Sequence, residues 1–402
     1  MSRHKSRFRT KLTAVGAGLL ATAGVATTMS IASAGESAES GSGRTVRAGA
    51  DHAVFVQGNE LDGNTIHVFR RGDDGGLTPA GRYATGGRGG NQTDAPTDSL
   101  ASQGSLVYDD RSGLLLAVNA GSGTVTSFRV KGEKLMDRRV VRSGGKFPSG
   151  IAVSGRLAYV MNAGGKGSVQ GFRIGARGLT PLHGSKRSLG LDNEDVPLFT
   201  SSPGQAGFTP DGKALVVTTK AANTIEVFPM RRGGVPSRKP VVNRSASGVP
   251  FAFTFGTGGR MLVAEAEKST VTTYRVREDG TLKTVQRPLS NGQDTLCWLE
   301  RAGKFFYGGN TGNSTVSGYR ESAGGKLELT NDVGIATPPS AKSQGVIDLA
   351  VTRDGSFLYV QNATSGTVDG FRVGEKGSLT KVTTAKDLPA FGESGMEGIV
   401  AR

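Results

Sequence analysis

One short pattern of polar and apolar positions recurs along the chain. It runs Ser or Thr, then Val or Ile, any residue, usually a small residue, then Phe or Tyr, usually followed by Arg. The copies are TIHVFRR, TVTSFRV, SVQGFRI, TIEVFPM, TVTTYRV, TVSGYRE and TVDGFRV, with aromatics at Phe69, Phe128, Phe172, Phe228, Tyr274, Tyr319 and Phe371. Successive aromatics are 59, 44, 56, 46, 45 and 52 residues apart. Nine or ten residues before each aromatic an apolar run ends in a turn, as in LLLAVN, LAYVMN and FLYVQN. Apolar run, Gly/Asn/Ser turn, then β-branched run predicts a hairpin. A further strand precedes each hairpin (SGIAVS, DLAVTRDG) and another follows it (EDGTLKTVQRP, EKGSLTKVTTA), except that the first copy has no room for its leading strand.

Four strands repeating at about 45 residues predict the blades of a β-propeller. The fold class is therefore all-β, a seven-bladed propeller with four-stranded blades. The strands lack clean alternation, as expected of sheets covered on both faces by their neighbours. The small residue before the aromatic (Ser127, Gly171, Gly318, Gly370) is expected to let the next sheet approach, while the aromatic packs between blades.

The run VFVQGN, beginning at Val54, is already a second strand, whereas the chain continues past its last blade to GIVA, Gly398 to Ala401, which reads like GIAV at Gly150 to Val153. The C-terminal strand is thus expected to supply the inner strand of blade 1. Closure removes the open edges on which sheets aggregate.

Ahead of the repeats stands MSRHKSRFRTK, five cations and no acid, then a Gly/Ala/Thr-rich apolar stretch, then Ala32-Ser33-Ala34. This order predicts a secretory signal peptide over residues 1–34, cleaved after Ala34. Residues 35–50 are Gly/Ser/Glu-rich with little apolar bulk and are expected to form a flexible linker. The propeller is assigned to residues 51–402. Secretion and no membrane span in the mature chain follow from this reading.

Gly 62 in 402 residues is roughly twice the usual share, and the glycines recur at turns. Cys297 is the single cysteine, so no internal disulfide can form, and beside Trp298 it reads as a buried, inert thiol. The formal charge of +15 falls to +10 once the signal is removed. The cations are scattered singly, without a dense basic block or interleaved aromatics, which argues against nucleic acid. On exposed strand edges they also discourage edge-to-edge pairing.

Blades such as TRDGSFLYVQNATSGTVDGFRVGEKGSLTKV (Thr352 to Val382) and FTPDGKALVVTTKAANTIEVF (Phe208 to Phe228) resemble the lactonase-type propellers, the family of 6-phosphogluconolactonase and carboxymuconate cyclase, and the related YVTN-type surface propellers. The WD40 and kelch patterns are absent. The resemblance implies inner strands that begin Pro-x-His, with those histidines facing the central channel beside Arg and acidic partners. Here Ser105, Gly150, Gln205, Ala252, Leu296 and Asp348 occupy the matching positions. His52 precedes blade 1, His67 lies on its third strand and His183 on an outer strand of blade 3. Lactone chemistry needs a base near neutral pH, and His is the side chain suited to it without perturbation.

The expected function is accordingly a secreted, lactonase-like binding module without the usual catalytic histidines. The alternatives are an active lactone hydrolase or cycloisomerase using carboxylate and Arg groups, and an adhesive or structural protein of the cell envelope. No catalytic residue, metal site or cofactor is assigned. The channel mouth is expected to present Ser105, Gln205, Asp294, Asp348 and Glu397 to a small molecule or polymer of undefined identity, and a monomer is expected. Two long inter-blade loops, Gly86 to Gln103 and Leu189 to Gly204, together with the Pro/Ser-rich Ala336 to Gly345, outline the recognition face. LDNEDVP (Leu191 to Pro197) fits no defined cation loop and reads as solvated, and GGRGGNQ (Gly86 to Gln92) opens no helix and is a poor phosphate cradle.

Overall fold

Apolar runs bounded by Gly, Asn and Ser turns become strands here because each can bury both faces at once. The computed structural model describes residues 52–338, 342–392 and 395–402. The signal-peptide and linker assignments lie outside the described residues. Seven antiparallel sheets form, each with the inner-to-outer order of a propeller blade. In blade 2 these strands are Leu106–Asp109, Leu114–Asn119, Thr124–Lys131 and Lys134–Arg142. In blades 3 and 4 the outer position is split in two, Gly178–Pro181 with Arg187–Ser188 and Val235–Pro236 with Val241–Arg244. His183 falls in the turn between the blade 3 pieces, so its placement on an outer strand is corrected. Among the described residues no helix is long and apolar enough to cross a membrane.

The ring closes as the repeat count requires. Glu397–Ala401 pairs antiparallel with Ala53–Gln57, with Val400 opposite Phe55 and Ile399 opposite Val56. Gly398 sits in this strand at φ 59°, and a Cβ there would lie 2.4 Å from Ser105 Oγ. Only glycine lets the closing strand lie against blade 2 in that conformation.

The core is distributed around the ring as apolar layers between consecutive blades. Leu116 and Val118 of blade 2 meet Ile151, Val160 and Phe172 of blade 3. Tyr359 and Val368 of blade 7 meet Val54, Val56 and Ile399 of blade 1. Outer strands are exposed and cationic, as along Lys134–Arg142, which protects the edges from pairing.

One tie between blades repeats. The hydroxyls of Tyr159, Tyr307 and Tyr359 donate to the carbonyls of Gly234, Gly377 and Gly75, each in the next blade, at 2.6, 3.0 and 2.8 Å. This revises the role of the small residue before the aromatic. A Cβ at Gly171 would strike Tyr159, and at Gly370 Tyr359, both within 2.7 Å and both in the same sheet. The gap admits the tyrosine that then reaches across; at Gly171 and Gly370 it is not a direct approach of the next sheet. Tyr359→Phe should cost about 1 kcal/mol in chemical denaturation.

Blades 5 and 6 are also tied by charge. Arg260 Nη2 and Nε donate to Glu321 Oε1 at 2.8 and 3.0 Å, and the Thr257 amide donates to Oε2 at 2.9 Å. Burial works against the Glu321 carboxylate, but these donors hold its pKa below the usual value. Glu321→Gln should therefore destabilise by about 2 kcal/mol, because it leaves the half-buried Arg260 without its counter-charge.

Candidate functional site

The two long loops meet over one end of the central channel. Thr93 forms a parallel bridge with Leu198, and Ser202 Oγ donates to Gln92 Oε1 at 2.9 Å. Gln92 in turn donates to the Leu100 carbonyl at 2.6 Å. The segment 98–103 then crosses the channel mouth and is held from four sides. The Leu100 amide donates to Glu397 of blade 1 at 2.8 Å, and Ser102 Oγ to the Ser149 carbonyl of blade 3 at 2.9 Å. Lys220 of blade 4 donates to the Ala101 carbonyl at 2.7 Å. The Gln103 amide pairs with both main-chain groups of Leu299 in blade 6 and donates to Glu300 at 2.7 Å. A side-chain amide thus imitates a strand neighbour across the axis, and the channel is plugged on this face.

Beneath the plug lie acids whose pKa values burial raises. Burial raises Asp98, whose carboxyl hydrogen-bonds Glu397; burial and the Asp98 charge raise Glu397 well above the usual range. Two carboxyls in contact hold a proton between them. Asp348 is raised by burial and by Glu300, and burial lifts Glu300 itself to about 7. Burial pulls Lys220 down to about 8, against the opposing fields of Asp98 and Glu397. The Cys297 thiol is buried and pushed up to about 12, in accord with an inert thiol.

Of the five expected residues, Gln205, Asp348 and Glu397 come to the channel. Gln205 and Asp348 line its lower cavity of about 280 Å³, where Gln205 Oε1 accepts the Phe253 amide at 2.6 Å. Glu397 sits under the plug. Ser105 is fully buried against the closing strand, so it cannot face a ligand at the mouth. Asp294 is exposed in the turn before the blade 6 inner strand, where it accepts Thr295 Oγ1 at 2.9 Å. In the Leu191 to Pro197 segment, Asp195 pairs with Lys146 and Asn193 donates to the Ala163 carbonyl at 2.9 Å.

A cavity of about 240 Å³ opens beside the plug, over blades 4 to 6. Phe199, Phe251 and Trp298 wall it with Val249, Pro96 and Ala266, and Lys220, Asp98 and several threonines are also in the lining. Phe251 and Trp298 pack at 5.0 Å between ring centroids. Three of its residues, Ala101, Val249 and Thr295, hold positive φ angles of 44°, 50° and 57°. For β-branched Val and Thr this conformation is costly. Neither Asp98, Lys220 nor Glu300 was singled out from the sequence.

A larger cavity of about 640 Å³ lies at the other end of the channel and carries Arg71, Arg353, Arg372 and Arg402. Its cations are committed. Arg71 donates to the Arg402 carbonyl at 2.9 Å, Arg372 donates to the Asp74 carbonyl at 3.1 Å, and Arg353 pairs with Asp110 at 3.7 Å. Arg402 stacks over Tyr108 at 4.1 Å.

A ring of seven four-stranded blades closed by its last strand defines a seven-bladed β-propeller, a fold it shares with solved lactonase structures. The chain superposes on a candidate 6-phosphogluconolactonase from Bacteroides uniformis at 17% identity and TM-score 0.63, covering 86% of this chain and 99% of that one. A protein from Lactobacillus plantarum matches at 17% identity and TM-score 0.65 over 86% and 98% of the two chains. The periplasmic gluconolactonase of Pseudomonas aeruginosa matches at 17% and 0.61 over 87% and 99%. At such identities the likeness is one of fold. No protein-family model matches the sequence, and no curated protein does.

Proposed function

We propose that this chain is an exported, lactonase-fold binding module that takes a small, uncharged ring compound in the loop-face cavity. One observation carries the reading: an aromatic-walled cavity of about 240 Å³ beside a channel plugged by the chain itself. Apolar walls with few polar groups are what a small ring compound requires. The positive-φ residues around it add support, since backbone strain tends to gather at ligand sites. Export is inferred from residues 1–34, and N-terminal sequencing of secreted protein should begin at Gly35; a start at Met1 would overturn it.

Trp298 is the only tryptophan and lies on the wall, so it reports occupancy directly. Titration with benzyl alcohol should shift its emission saturably. Phe251→Ala should weaken binding about tenfold, as expected from loss of an aromatic contact. An emission spectrum unmoved at saturating ligand would contradict the reading. An active lactonase is favoured less, because the lower channel sets Glu300 and Asp348 among Gln103, Gln205 and aliphatic groups, with no arginine on its described wall. Turnover across a lactone panel that is lost in Asp348→Ala would reverse that preference.

A further inference from the structure

We propose that Lys220 captures the carbonyl group of an aromatic aldehyde or ketone in the loop-face cavity as a reversible imine. This inference rests on the binding role proposed above and names the chemistry of the same cavity. Lys220 stands in the turn after the second strand of blade 4. The corresponding positions in blades 2, 3, 5, 6 and 7 are Ala120, Ala163, Ala266, Thr311 and Ala363. A lysine there is directed into the molecule and is only 4% exposed.

Its surroundings suit an amine nucleophile. Nζ lies 2.7 Å from the Ala101 carbonyl and 5.0 Å from the centre of the Phe251 ring, and both residues line the cavity. An ammonium has three protons to donate, and the single acceptor recorded for it leaves the group poorly solvated. Apolar surroundings favour the free amine, which is the general way a protein activates a lysine. Burial bringing Lys220 to about 8 agrees with that. Asp98, also on the cavity wall, and Glu397 hold a proton between them next to this amine. Cys297 is the remaining titratable group facing Lys220, and as a neutral thiol it adds no charge.

The step balances without a further reagent. The Nζ lone pair forms a C–N bond as the carbonyl π pair moves to oxygen, which takes the proton held by Asp98 and Glu397. Nitrogen then gives up its two protons, one restoring the acid pair and one leaving with the oxygen as water. The products are an imine and one water molecule, and hydration reverses the step.

The test uses the whole mature protein with benzaldehyde and cyanoborohydride near pH 7, followed by peptide mapping. Hydride reduces the imine and leaves a stable benzyl group on the modified lysine. Lys220 should label on the order of tenfold faster than the exposed lysines, whose ordinary pKa is near 10.4, and benzyl alcohol should protect it. Label confined to exposed lysines, with Lys220 unmodified, would overturn the proposal. If benzyl alcohol still shifts Trp298 emission in that case, only the imine step fails. If neither compound moves Trp298, the binding reading fails with it. The wild-type map needs no variant; Lys220→Met, if folded, should bind benzyl alcohol and retain no label at this turn.

Discussion

Deleting Glu397–Arg402 is expected to abolish cooperative thermal unfolding. The last strand makes four register pairs with blade 1, Val54 with Ala401, Phe55 with Val400, Val56 with Ile399 and Gln57 with Glu397. Without it, Ala53–Gln57 becomes an open edge beside fully buried Phe55 and Val56. The same deletion removes the Glu397 carboxyl that accepts the Leu100 amide, so the plug loses one of its four attachments. Blade 1 also closes the apolar layers toward blades 7 and 2. Domains retain only about 5–15 kcal/mol of net stability, and loss of a central strand exceeds what such a margin can absorb. Circular dichroism should show a sloping melt with no transition. A truncated protein that melts like the full one would refute ring closure as a requirement for folding.

The second large effect is a stability that increases on mild acidification. Glu300 and Glu226 are raised by burial to about 7, and burial raises Asp98, Asp348 and Glu397 too. Between the unfolded carboxylate pKa and the raised native one, the folded state holds more protons than the unfolded state. The slope of stability with pH is then negative. The contribution is complete below about pH 4.5 and is lost as pH rises through about 7. Lys220 acts in a separate window: between about 8 and 10.5 the unfolded chain binds more protons, so stability recovers with pH there. Glu60 has the opposite sign to the buried acids. Burial alone would raise it, but hydrogen bonds from His67 and Thr65, with Arg82, take it to about 2, so its contribution is lost as pH falls from about 4.5 toward 2. Urea denaturation should therefore find greater stability at pH 5.5 than at pH 8. Glu300→Gln should narrow that difference by on the order of 1–3 kcal/mol. Stability rising steadily from pH 5.5 to 8 would contradict the buried acid cluster.

The blade repeat was legible because it is written in local chemistry: a β-branched strand, an aromatic and a Gly-rich turn recur whatever the ring does. Closure was legible too, since blade 1 lacks an inner strand that GIVA can replace. The site was only half legible. Asp348 and Glu397 belong to inner strands, so their approach to the channel follows from the repeat alone. Ser105 occupies an equivalent position, yet the close approach of Gly398 buries it, a contact set by the seam rather than by its own blade. Asp294 precedes its strand and stays outside. Asp98 could not be placed, because it lies in a loop with no repeat register, and its location depends on contacts with four different blades. Lys220 did leave a signal, a lysine where blades 2, 3, 5, 6 and 7 carry Ala or Thr, but a charge in a turn ordinarily faces solvent. Its burial comes from tertiary contacts outside its own blade, among them the plug's Ala101 carbonyl and the Phe251 ring.

Crystals of the mature protein soaked in 4-bromobenzyl alcohol would test the binding role most directly. The bromine's anomalous signal should appear among Phe199, Phe251 and Trp298. A signal confined to the arginine-bearing cavity at the other end, or none at saturating ligand, would contradict it.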